Sequence, residues 1–483
     1  MNYVSKTKPY EHQQKMFEQL VEEDRSEYGI FWEMGLGKSK LIVDYAGSLF
    51  LNKKINSLLI IAPKGVYRNW VDQIDLHLSE DIKREVLVWQ PNWTKKFTST
   101  LVSLATPKLC NENTLRCFIM NVEALSSIKG AEICSQFLSL NKTLLVIDES
   151  TTIKNHKANR TKNLLKASTK APYRFILTGS PVTNSPLDLF SQMKFLGFDF
   201  GNFYAFKNRY AVLRRQNFGG RPFDQIVGYQ RLDELSKRIQ PLTSRLLKNE
   251  CLDLPEKIYM TREVALSKEQ QKHYKEMKAL ALTMLESGEL STSASALTTL
   301  IRLQQIALGF AKTDDGELID IPNNRLDELL QVLEENGDGK AVIYCTFTHN
   351  IKQIESELIK RYGQDSVDTY FGETKSEERQ EIVNRFQDPQ SPLRFFIGQI
   401  STAGYGLTLT ESNLCIFFSN SFNLADRIQA EDRLHRIGQS KSVTYVDFIS
   451  PKTIDVKIIK ALRSKIDIAS TVLGESLKEW LEI

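Results

Sequence analysis

The sequence lacks the patterns that mark secreted, zinc-stabilised or membrane-spanning proteins. Its six cysteines are scattered over 483 residues without a C-x-x-C pair, and its six histidines show no metal-ligand spacing. No basic and apolar leader opens the chain, and no apolar run is long enough to cross a membrane. We therefore expect reduced, buried cysteines, no structural zinc, no membrane partner and a cytoplasmic location, at the nucleoid or a viral replication site for a prokaryotic or phage source.

Low-complexity tracts and short internal repeats are also missing, and neither sign of charge dominates. Apolar residues make up 41% and charged residues 25% of the chain, which is ordinary for a folded protein. The length exceeds what one hydrophobic core normally supports, so we expect two domains of about 200 residues each. The net charge of +4 is too small to indicate a nucleic-acid partner by itself.

Short apolar runs without alternation recur along the chain, as is typical of strands buried on both faces of a parallel sheet. Six of them start at Gly29, Leu58, Val86, Cys117, Leu144 and Phe175. Five more start, after a long gap, at Ala341, Val367, Phe395, Leu414 and Val443. Because amphipathic segments of helix length separate most of these runs, the pattern predicts an α/β fold with two doubly wound, parallel-sheet lobes.

The long gap between the two sets of strands is predicted to be mostly helical, because its segments have helical periodicity, few glycines and many charges. The Leu254-Pro255 step is the predicted hinge between the lobes. The predicted domains are a nucleotide-binding lobe at 1–184, a helical basic insertion that ends this lobe at 185–250, a linker with a helical insertion at 251–337, and a second lobe with a closing helix at 338–483.

A basic segment lies inside this gap. From Gly201 to Lys248 there are ten Lys or Arg residues against three Asp or Glu residues, so the rest of the chain is slightly acidic. The cations suit phosphates, whereas the interleaved aromatic rings suit either bases or a hydrophobic core. Arg214 and Arg215 are the predicted nucleic-acid contacts of this segment, and the role of the rings stays open.

The segment EMGLGKS follows the first predicted strand and precedes a helical run, which is the context of a phosphate-binding loop. Gly35 and Gly37 let backbone N–H groups turn toward phosphates, and the helix N-terminus adds partial positive charge. Lys38 is predicted to reach the β- and γ-phosphate oxygens and Ser39 to hold Mg²⁺. The full pattern requires glycine where this chain has Trp32, so a glycine turn that only caps a strand remains the alternative.

The run LLVIDES places two adjacent acids at the carboxyl end of a predicted buried strand, where open α/β sheets bind ligands. Asp148 suits the hydration shell of Mg²⁺, and Glu149 suits the water that attacks a phosphate. A strand that simply leaves the core through charged residues is the alternative. Because the chain also has a predicted phosphate-binding loop, we favour the interpretation that these two acids belong to a nucleotide site.

The sequence NLADRIQAEDRLHRIGQ predicts a helix that starts with an Asx cap at Asn423 and ends at Gly438. On such a helix Gln429, Arg433 and Arg436 fall at i, i+4 and i+7 and share one face. Two guanidinium groups on one face suit a phosphate whose negative charge grows in a transition state.

These arginines are predicted to lie in a different lobe from the phosphate-binding loop. They would therefore complete the site only when the lobes close, which couples hydrolysis to motion. The alternative is an ordinary charged helix face, on which Glu431 and Asp432 pair with the arginines.

Together these motifs resemble those of the Swi/Snf-type helicase-like ATPases of helicase superfamily two, over nearly the whole chain. The QAxxRxHRxGQ pattern is intact from Gln429 to Gln439 and is the most specific signal. Further blocks in the family's order are IAPKGVYRNW, LTGSPVTNS, RLLKNECLDLPEK, LIRLQQIALGF and STAGYGLTLTES, which start at Ile61, Leu177, Arg245, Leu300 and Ser401.

This resemblance implies two RecA-like lobes that use ATP and Mg²⁺, with Gln13 as the residue that reads adenine. It implies a catalytic set of Lys38, Glu149, Gln429, Arg433 and Arg436. It also implies nucleic-acid contact or coupling at Pro63, Lys64, Thr178, Ser180, Ser401, Thr402 and Thr408. The acid box ends in Ser150-Thr151 instead of the family's usual Ala-His or Gly-His, which puts the coupling to DNA in doubt more than hydrolysis.

The predicted function is ATP-dependent translocation by a monomer on double-stranded DNA, with forks, branched DNA or protein–DNA complexes as objects of remodelling. A strand-separating DNA or RNA helicase is the first alternative. A non-catalytic DNA-binding scaffold with a degenerate ATP site, which Trp32 mildly favours, is the second. The sequence indicates neither protein partners nor a direction of travel.

Overall fold

The computed structural model describes residues 3–64, 66–94, 97–99, 101, 113–218, 221–286, 293–313, 315–403 and 407–473. The chain divides into two compact units, here called the first and the second lobe. Within the described residues, the first lobe comprises 3–212, 229–253 and 471–473, and the second comprises 213–228 and 254–470.

Seven of the first nine strands form one parallel sheet, in the order β3-β4-β2-β5-β6-β1-β9, while β7 and β8 form a separate two-stranded sheet. The central strands β2 and β5 are apolar and buried on both faces. The nine strands are β1 Glu27–Trp32, β2 Ser57–Ala62, β3 Lys83–Val88, β4 Thr114–Asn121, β5 Thr143–Asp148, β6 Tyr173–Leu177, β7 Ala211–Phe218, β8 Arg221–Tyr229 and β9 Thr243–Leu246.

Helices alternate with the strands of this sheet along the chain, as in a doubly wound fold. They are α1 Glu11–Glu22, α2 Lys38–Leu51, α3 Asn69–His77, α4 Ile128–Leu140, α5 Asn159–Ser168, α6 Leu189–Phe195, α7 Phe203–Tyr210 and α8 Leu232–Ile239.

The second lobe is built on a six-stranded parallel sheet in the order β10-β17-β16-β13-β15-β14, and β11 and β12 form a small antiparallel pair. Its strands are β10 Lys257–Glu263, β11 Phe310–Lys312, β12 Leu318–Asp320, β13 Ala341–Cys345, β14 Val367–Tyr370, β15 Phe395–Gln399, β16 Leu414–Phe417 and β17 Val443–Ile449. Its helices are α9 Lys268–Glu286, α10 Ser293–Ala307, α11 Arg325–Glu335, α12 Thr348–Tyr362, α13 Ser376–Gln387, α14 Ile400–Ala403, α15 Leu424–Glu431 and α16 Ile454–Leu473.

All eleven predicted apolar runs lie in strands of the two parallel sheets, so the predicted fold class is confirmed. The prediction that 185–337 is mostly helical is wrong in part, because β7 to β12 lie within it. These six strands are short or half-exposed and lack the continuous apolar run of a strand buried on both faces. Among the described residues, the segment predicted as linker supplies β10, the edge strand of the second sheet.

No helix in the described part of the chain combines the length and the apolar character needed to cross a bilayer. The five described cysteines are free thiols, four of them buried, and Cys110 lies outside the described residues.

Candidate nucleotide and nucleic-acid site

Four neighbouring strands of the first sheet, β2, β5, β6 and β1, end at the same edge. The phosphate-binding loop follows β1, and the acid pair Asp148-Glu149 stands at the end of β5. Pro63 follows β2, and Thr178 follows β6. The parallel sheet therefore brings four sequence-predicted motifs to the carboxyl edge at which ligands bind in open α/β folds.

The phosphate-binding loop depends on two glycines with left-handed backbone conformation, Gly35 at φ 84° and Gly37 at φ 73°. Gly37 is the residue that precedes helix α2, so the N–H groups of the first helical turn lie at the end of this loop. A Cβ atom at Gly37 would lie 1.9 Å from Nε2 of Gln13. The backbone of this loop therefore suits an anion, and position 37 has no room for a residue larger than glycine beside Gln13.

Lys38 folds back over this turn and donates to the carbonyl oxygens of Trp32 at 2.8 Å and Glu33 at 3.1 Å. The indole of Trp32 is 1% exposed, packs in the core and donates to Oγ of Ser244 at 2.9 Å on β9. The departure from the glycine pattern at position 32 is therefore accommodated in the core, because only the backbone of this residue lies at the loop.

The N-terminus of helix α1 supports the loop from the side. Nε2 of Gln13 donates to the carbonyl oxygens of Leu36 and Gly37, both at 3.3 Å, and its Oε1 accepts from the N–H of Tyr10. The sequence did not single out His12, whose Nε2 lies 3.0 Å from the Leu36 oxygen and whose ring meets Trp32 edge-on. Only its position next to Gln13 could have drawn attention to His12.

Three hydrogen bonds between described residues contribute to holding the acid pair. Asp148 accepts from Nε1 of Trp70 at 2.9 Å and from the N–H of Glu149 at 3.0 Å, and Oγ1 of Thr178 donates to Glu149 at 3.2 Å. Burial raises the pKa of Asp148, although the Trp70 hydrogen bond and the charge of Lys38 act in the lowering direction. Glu149 has a left-handed backbone at φ 49°, a conformation that non-glycine residues keep only where the surroundings enforce it.

These residues fit a magnesium-bound nucleoside triphosphate. The glycine turn leaves backbone donors at a helix N-terminus, and a lysine and a buried carboxylate lie close enough to interact. Ser39 is the second residue of α2, so its hydroxyl can join Asp148 as an oxygen ligand, the type that Mg²⁺ prefers.

The predicted arginine face of the second lobe requires a correction. Helix α15 ends at Glu431, so Arg433 and Arg436 lie in turns and not on a helix that runs to Gly438. The reason is tertiary: the Arg433 carbonyl accepts from the N–H of Leu409 at 2.9 Å, which draws the backbone away from helical pairing. The predicted Asx cap is confirmed, since Oδ1 of Asn423 accepts from the N–H of Ala425.

The two arginines nevertheless converge, because both guanidinium groups donate to the carbonyl oxygen of Leu407, Arg433 at 3.2 Å and Arg436 at 2.9 Å. Burial lowers the pKa of Arg436, and the neighbouring charge of Arg433 acts in the same direction. The alternative prediction, that Glu431 and Asp432 pair with these arginines, is confirmed only in part. Asp432 lies 3.8 Å from Arg433, whereas Glu431 pairs with Arg427 at 2.6 Å.

Gln429 is 4% exposed, and its Oε1 has no hydrogen-bond partner within the described part of the chain. Its backbone carbonyl accepts from Nε of Arg433 at 2.9 Å, which fixes that side chain. The predicted catalytic residues of the second lobe are thus neighbours, although the geometry that joins them is a turn.

The predicted nucleic-acid residues occupy several loops. Pro63, Lys64, Thr178 and Ser180 follow β2 and β6 of the first sheet, and Lys64 is exposed, whereas Thr178 is fully buried. In the second lobe, Ser401 and Thr402 lie in α14 directly after β15, and Thr408 is half-buried. Arg214 and Arg215 are exposed on β7, in a segment predicted to be helical, and successive side chains of a strand point to opposite faces.

Comparison with known families identifies two matching regions. Residues 12–308, more than half of the chain, match the SNF2-related domain, and residues 324–438 match the helicase conserved C-terminal domain. The chain belongs to the SNF2-related family of helicase-like ATPases. The resemblance inferred from the motifs is therefore confirmed at the family level.

Relatives of this SNF2-related chain include the human DNA annealing helicase and endonuclease ZRANB3, 26% identical over 92% of the chain. An uncharacterized ATP-dependent helicase of Mycoplasma genitalium, MG018, is 27% identical over 92%, and the SWI/SNF chromatin-remodeling complex subunit snf22 of Schizosaccharomyces pombe is 26% identical over 91%. The chain spans 38%, 40% and 26% of the lengths of these relatives.

A solved SWI2/SNF2 ATPase core of Sulfolobus solfataricus in complex with dsDNA is 23% identical, with a TM-score of 0.42 over 100% of this chain and 98% of that chain.

Proposed function

We propose that this chain is an ATP-dependent translocase that acts as a monomer on double-stranded DNA and remodels forks, branched DNA or protein–DNA complexes. The observation that carries the proposal is the hydrogen bond from Thr178 to Glu149, which joins the acid pair to the segment after β6 at the edge where the phosphate-binding loop lies. Family membership and relatives named as DNA helicases or remodelling subunits support DNA as the track.

In the proposed nucleotide site, Gln13 reads the base, and Gly35, Gly37 and Lys38 bind the phosphates through backbone N–H groups and the ammonium. Ser39 and Asp148 would hold Mg²⁺, which supplies neutralisation of charge on the β- and γ-phosphates.

Hydrolysis in this proposal needs a positioned water and a cation for the developing charge. Glu149 orients the attacking water, and its backbone conformation and the bond from Thr178 fix the carboxylate for that task. We assign Arg433 and Arg436 to the charge that grows on the γ-phosphate, with Gln429 as their neighbour. Coupling of hydrolysis to movement follows if these arginines engage the nucleotide only when the lobes close.

For the DNA track, we propose backbone contacts by Pro63, Lys64 and Ser180 in the first lobe, by Ser401, Thr402 and Thr408 in the second, and by Arg214 and Arg215 on the β7–β8 sheet. Contacts to phosphates carry no sequence information, so they suit a motor that must pass every sequence.

The test is ATP turnover with and without blunt duplex DNA. We expect duplex to stimulate the wild type, and Lys38→Ala, Glu149→Gln and Arg433→Ala to lose turnover by a factor of about 10³ or more. Lys142→Ala is the matched control, since this exposed lysine precedes β5 at the sheet edge opposite to Asp148. Equal ATP turnover by the wild type and Glu149→Gln, with and without duplex, would contradict the proposed translocase and leave the non-catalytic DNA-binding scaffold as the function.

Strand separation is distinguished from duplex translocation by two substrates. A translocase displaces the third strand of a triplex on blunt duplex without unwinding a partial duplex. Unwinding without triplex displacement would favour the strand-separating alternative.

A further inference from the structure

One stretch of the first lobe is far more basic than the rest of the chain. From Ser150 to Phe218 there are twelve Lys or Arg residues and only two acids, Asp188 and Asp199. Backbone N–H groups already occupy both carboxylates, since Thr183 donates to Asp188 at 3.0 Å and Gly201 donates to Asp199 at 2.7 Å. The positive charge of this stretch is therefore not balanced from within, which favours a polyanion as its partner.

Most aromatic rings of the same stretch form a small core. The ring centroids of Phe200 and Phe206 are 4.6 Å apart, and those of Phe206 and Tyr210 are 4.9 Å apart. Phe190 on α6 joins them at 5.4 Å from Phe206. These rings hold helix α7 against the lobe, so they are not available to bases.

Tyr204 on α7 differs from these rings, because its side chain is 67% exposed, the largest value among the described aromatic side chains. Phe203, Phe206 and Tyr210 fall at i, i+3 and i+7 and share a face of the helix, and Tyr204 lies beside that face. The ring of Tyr204 meets Phe203 edge-on at 6.3 Å. Phe203 in turn stacks on His156, with 3.7 Å between the ring centroids. Tyr204 thus stands on packed rings and exposes an aromatic side chain to solvent.

Two exposed lysines, Lys157 and Lys162, lie near the ring of His156. Burial lowers the pKa of His156, and the charges of both lysines act in the same direction. At neutral pH this imidazole is therefore uncharged, and the positive charge beside the stacked rings comes from the lysines.

Two more lysines lie on the other side of the stack. Nζ of Lys194 is 5.7 Å from the ring centroid of Phe190, which itself lies 5.3 Å from Phe203. Lys207 follows Phe203 by one turn of α7. No salt bridge between described residues involves any of the four lysines. We call the following residues the cationic aromatic surface: Lys157, Lys162, Lys194, Phe203, Tyr204 and Lys207.

We propose that the cationic aromatic surface binds a single DNA strand, with Tyr204 stacked on an unpaired base and the lysines on the flanking phosphates. The inference rests on the proposed function and deepens it, because it names the DNA as a duplex that adjoins an unpaired strand, as at a fork. None of these six residues is among the DNA contacts proposed above.

An unpaired base fits this surface better than an intact duplex does. Within a duplex each base is covered by its neighbours, so a protein ring can stack only where a base has left the helix or where the helix ends. Every base has a π face, so stacking on Tyr204 selects unpaired bases without selecting a sequence. Cations that follow the backbone around an exposed ring are the usual composition of a single-strand site.

The experiment separates bases from phosphates. Three DNA molecules share one duplex: the first is blunt, the second carries a single-stranded arm of about ten nucleotides, and the third carries an arm of equally many abasic residues. The abasic arm has the same phosphates but no bases. Fluorescence anisotropy measures the affinity of the full chain for each molecule. We expect the wild type to bind the arm with bases about ten times more tightly than the abasic arm.

Substitutions of Tyr204 test the stacking. Tyr204→Leu keeps an apolar side chain but removes the π face, so we expect the ratio of the two arm affinities to fall to about one. Tyr204→Trp should retain the wild-type ratio, because stacking requires a ring and not the hydroxyl group. Leu76→Ala is the control, since it truncates another exposed apolar side chain of the first lobe, 51% exposed on α3, and should leave the ratio unchanged.

Substitutions of the lysines test the phosphate contacts. We expect Lys157→Ala and Lys194→Ala to weaken both arms alike and to reduce the salt slope of arm binding by at most about 0.7 each, the value for a single strand. Lys170→Ala is the matched control, because the ammonium of this exposed lysine is already bonded to Ser135 at 2.6 Å and Ser139 at 2.8 Å. Unchanged slopes in both lysine variants would overturn the assignment of the lysines.

Failure of this inference is distinguishable from failure of the proposed function. Equal affinities of the wild type for the two arms, or a wild-type ratio in Tyr204→Leu, overturn the inference alone and make an acidic protein the partner that the charge favours. A wild type that neither binds blunt duplex nor hydrolyses ATP faster in its presence overturns the proposed function, whatever the ratio of the arms.

Discussion

At the scale of single residues, Gly37 meets two independent requirements of the proposed nucleotide site. Its φ of 73° is left-handed, which disfavours any side chain, and the position of its missing Cβ is taken by the amide of Gln13. The glycine therefore shapes the phosphate-binding turn and also admits the residue proposed to read the base.

We expect Gly37→Ala to abolish nucleotide binding, because the new methyl group displaces Gln13 and distorts the turn. Gly337→Ala is the control: this glycine also has positive φ, at 60°, but has nothing within 4 Å of its added Cβ, so only the backbone strain of about 1 kcal/mol remains. Titration with a fluorescent ATP analogue checks both variants. Equal affinities in the two variants would contradict the expected role of the Gln13 contact.

Residue types in the proposed nucleotide site can be identified in the sequence because their chemistry is local. A glycine-lysine-serine turn after a strand and two acids at a strand end each indicate the proposed role within a few residues. The surroundings of Trp32 and His12 could not be predicted from the sequence. The core packing of Trp32 and the contact of His12 with the Leu36 carbonyl both depend on how α1 and β9 pack around β1.

At the scale of elements, a buried charge network joins α15 to the second sheet. Arg427 on α15 bonds to Glu431 and to both carboxylate oxygens of Asp447 on β17, and the hydroxyl of Tyr259 on β10 donates to Glu431 at 2.6 Å. Burial acts to raise the pKa of Glu431, but the charges of Arg427 and Lys257 and the Tyr259 bond outweigh it and hold this pKa below the usual range.

A pKa that is lowered in the folded state stabilises the fold above the ordinary pKa of a glutamate, and this stability is lost as the pH falls through the folded value. We expect Glu431→Gln to lower the stability of the second lobe by about 2 kcal/mol at neutral pH and to reduce its sensitivity to acid. Calorimetry at pH 7 and pH 4 measures both effects, with exposed Glu317→Gln as control. Parallel pH profiles for the wild type and Glu431→Gln would contradict the role of this carboxylate.

The strands and helices differ in how well the sequence predicts them. Continuous apolar runs identified every central strand, because burial on both faces leaves an unambiguous composition. The β7–β8 pair was missed because its residues are mixed and charged. The Gly219-Gly220 pair, which lies outside the described residues, was the one hairpin signal. Helix α15 was predicted too long, since the bond from Leu409 to Arg433 that ends it joins distant parts of the chain.

At the scale of the whole molecule, the proposed grip on DNA has a measurable electrostatic signature. Each phosphate contact that is lost reduces the slope of log K against log salt by about 0.9. Arg214 and Arg215 point to opposite faces of β7, so the two cannot be equivalent in a contact made by one face.

We therefore expect Arg214→Ala and Arg215→Ala each to reduce the salt slope of duplex binding, by unequal amounts of at most about 0.9. Arg209→Ala is the control from the same basic segment, because Glu234 already binds this guanidinium at 2.7 and 2.9 Å. Fluorescence anisotropy over a salt series measures the slopes. Unchanged slopes in both variants would exclude the β7–β8 pair from the DNA contact.

The pairing of β1 with β9 has a consequence for synthesis of the chain. Trp32 stands beside Leu246 in this register, so the strand that leads into the phosphate-binding loop gains its outer neighbour only after more than two hundred further residues have been made. At ribosomal rates this corresponds to roughly 10 to 40 seconds during which an apolar strand edge stays open to other nascent chains. A pause or truncation before residue 246 would leave that edge unprotected and open to aggregation and to chaperone capture.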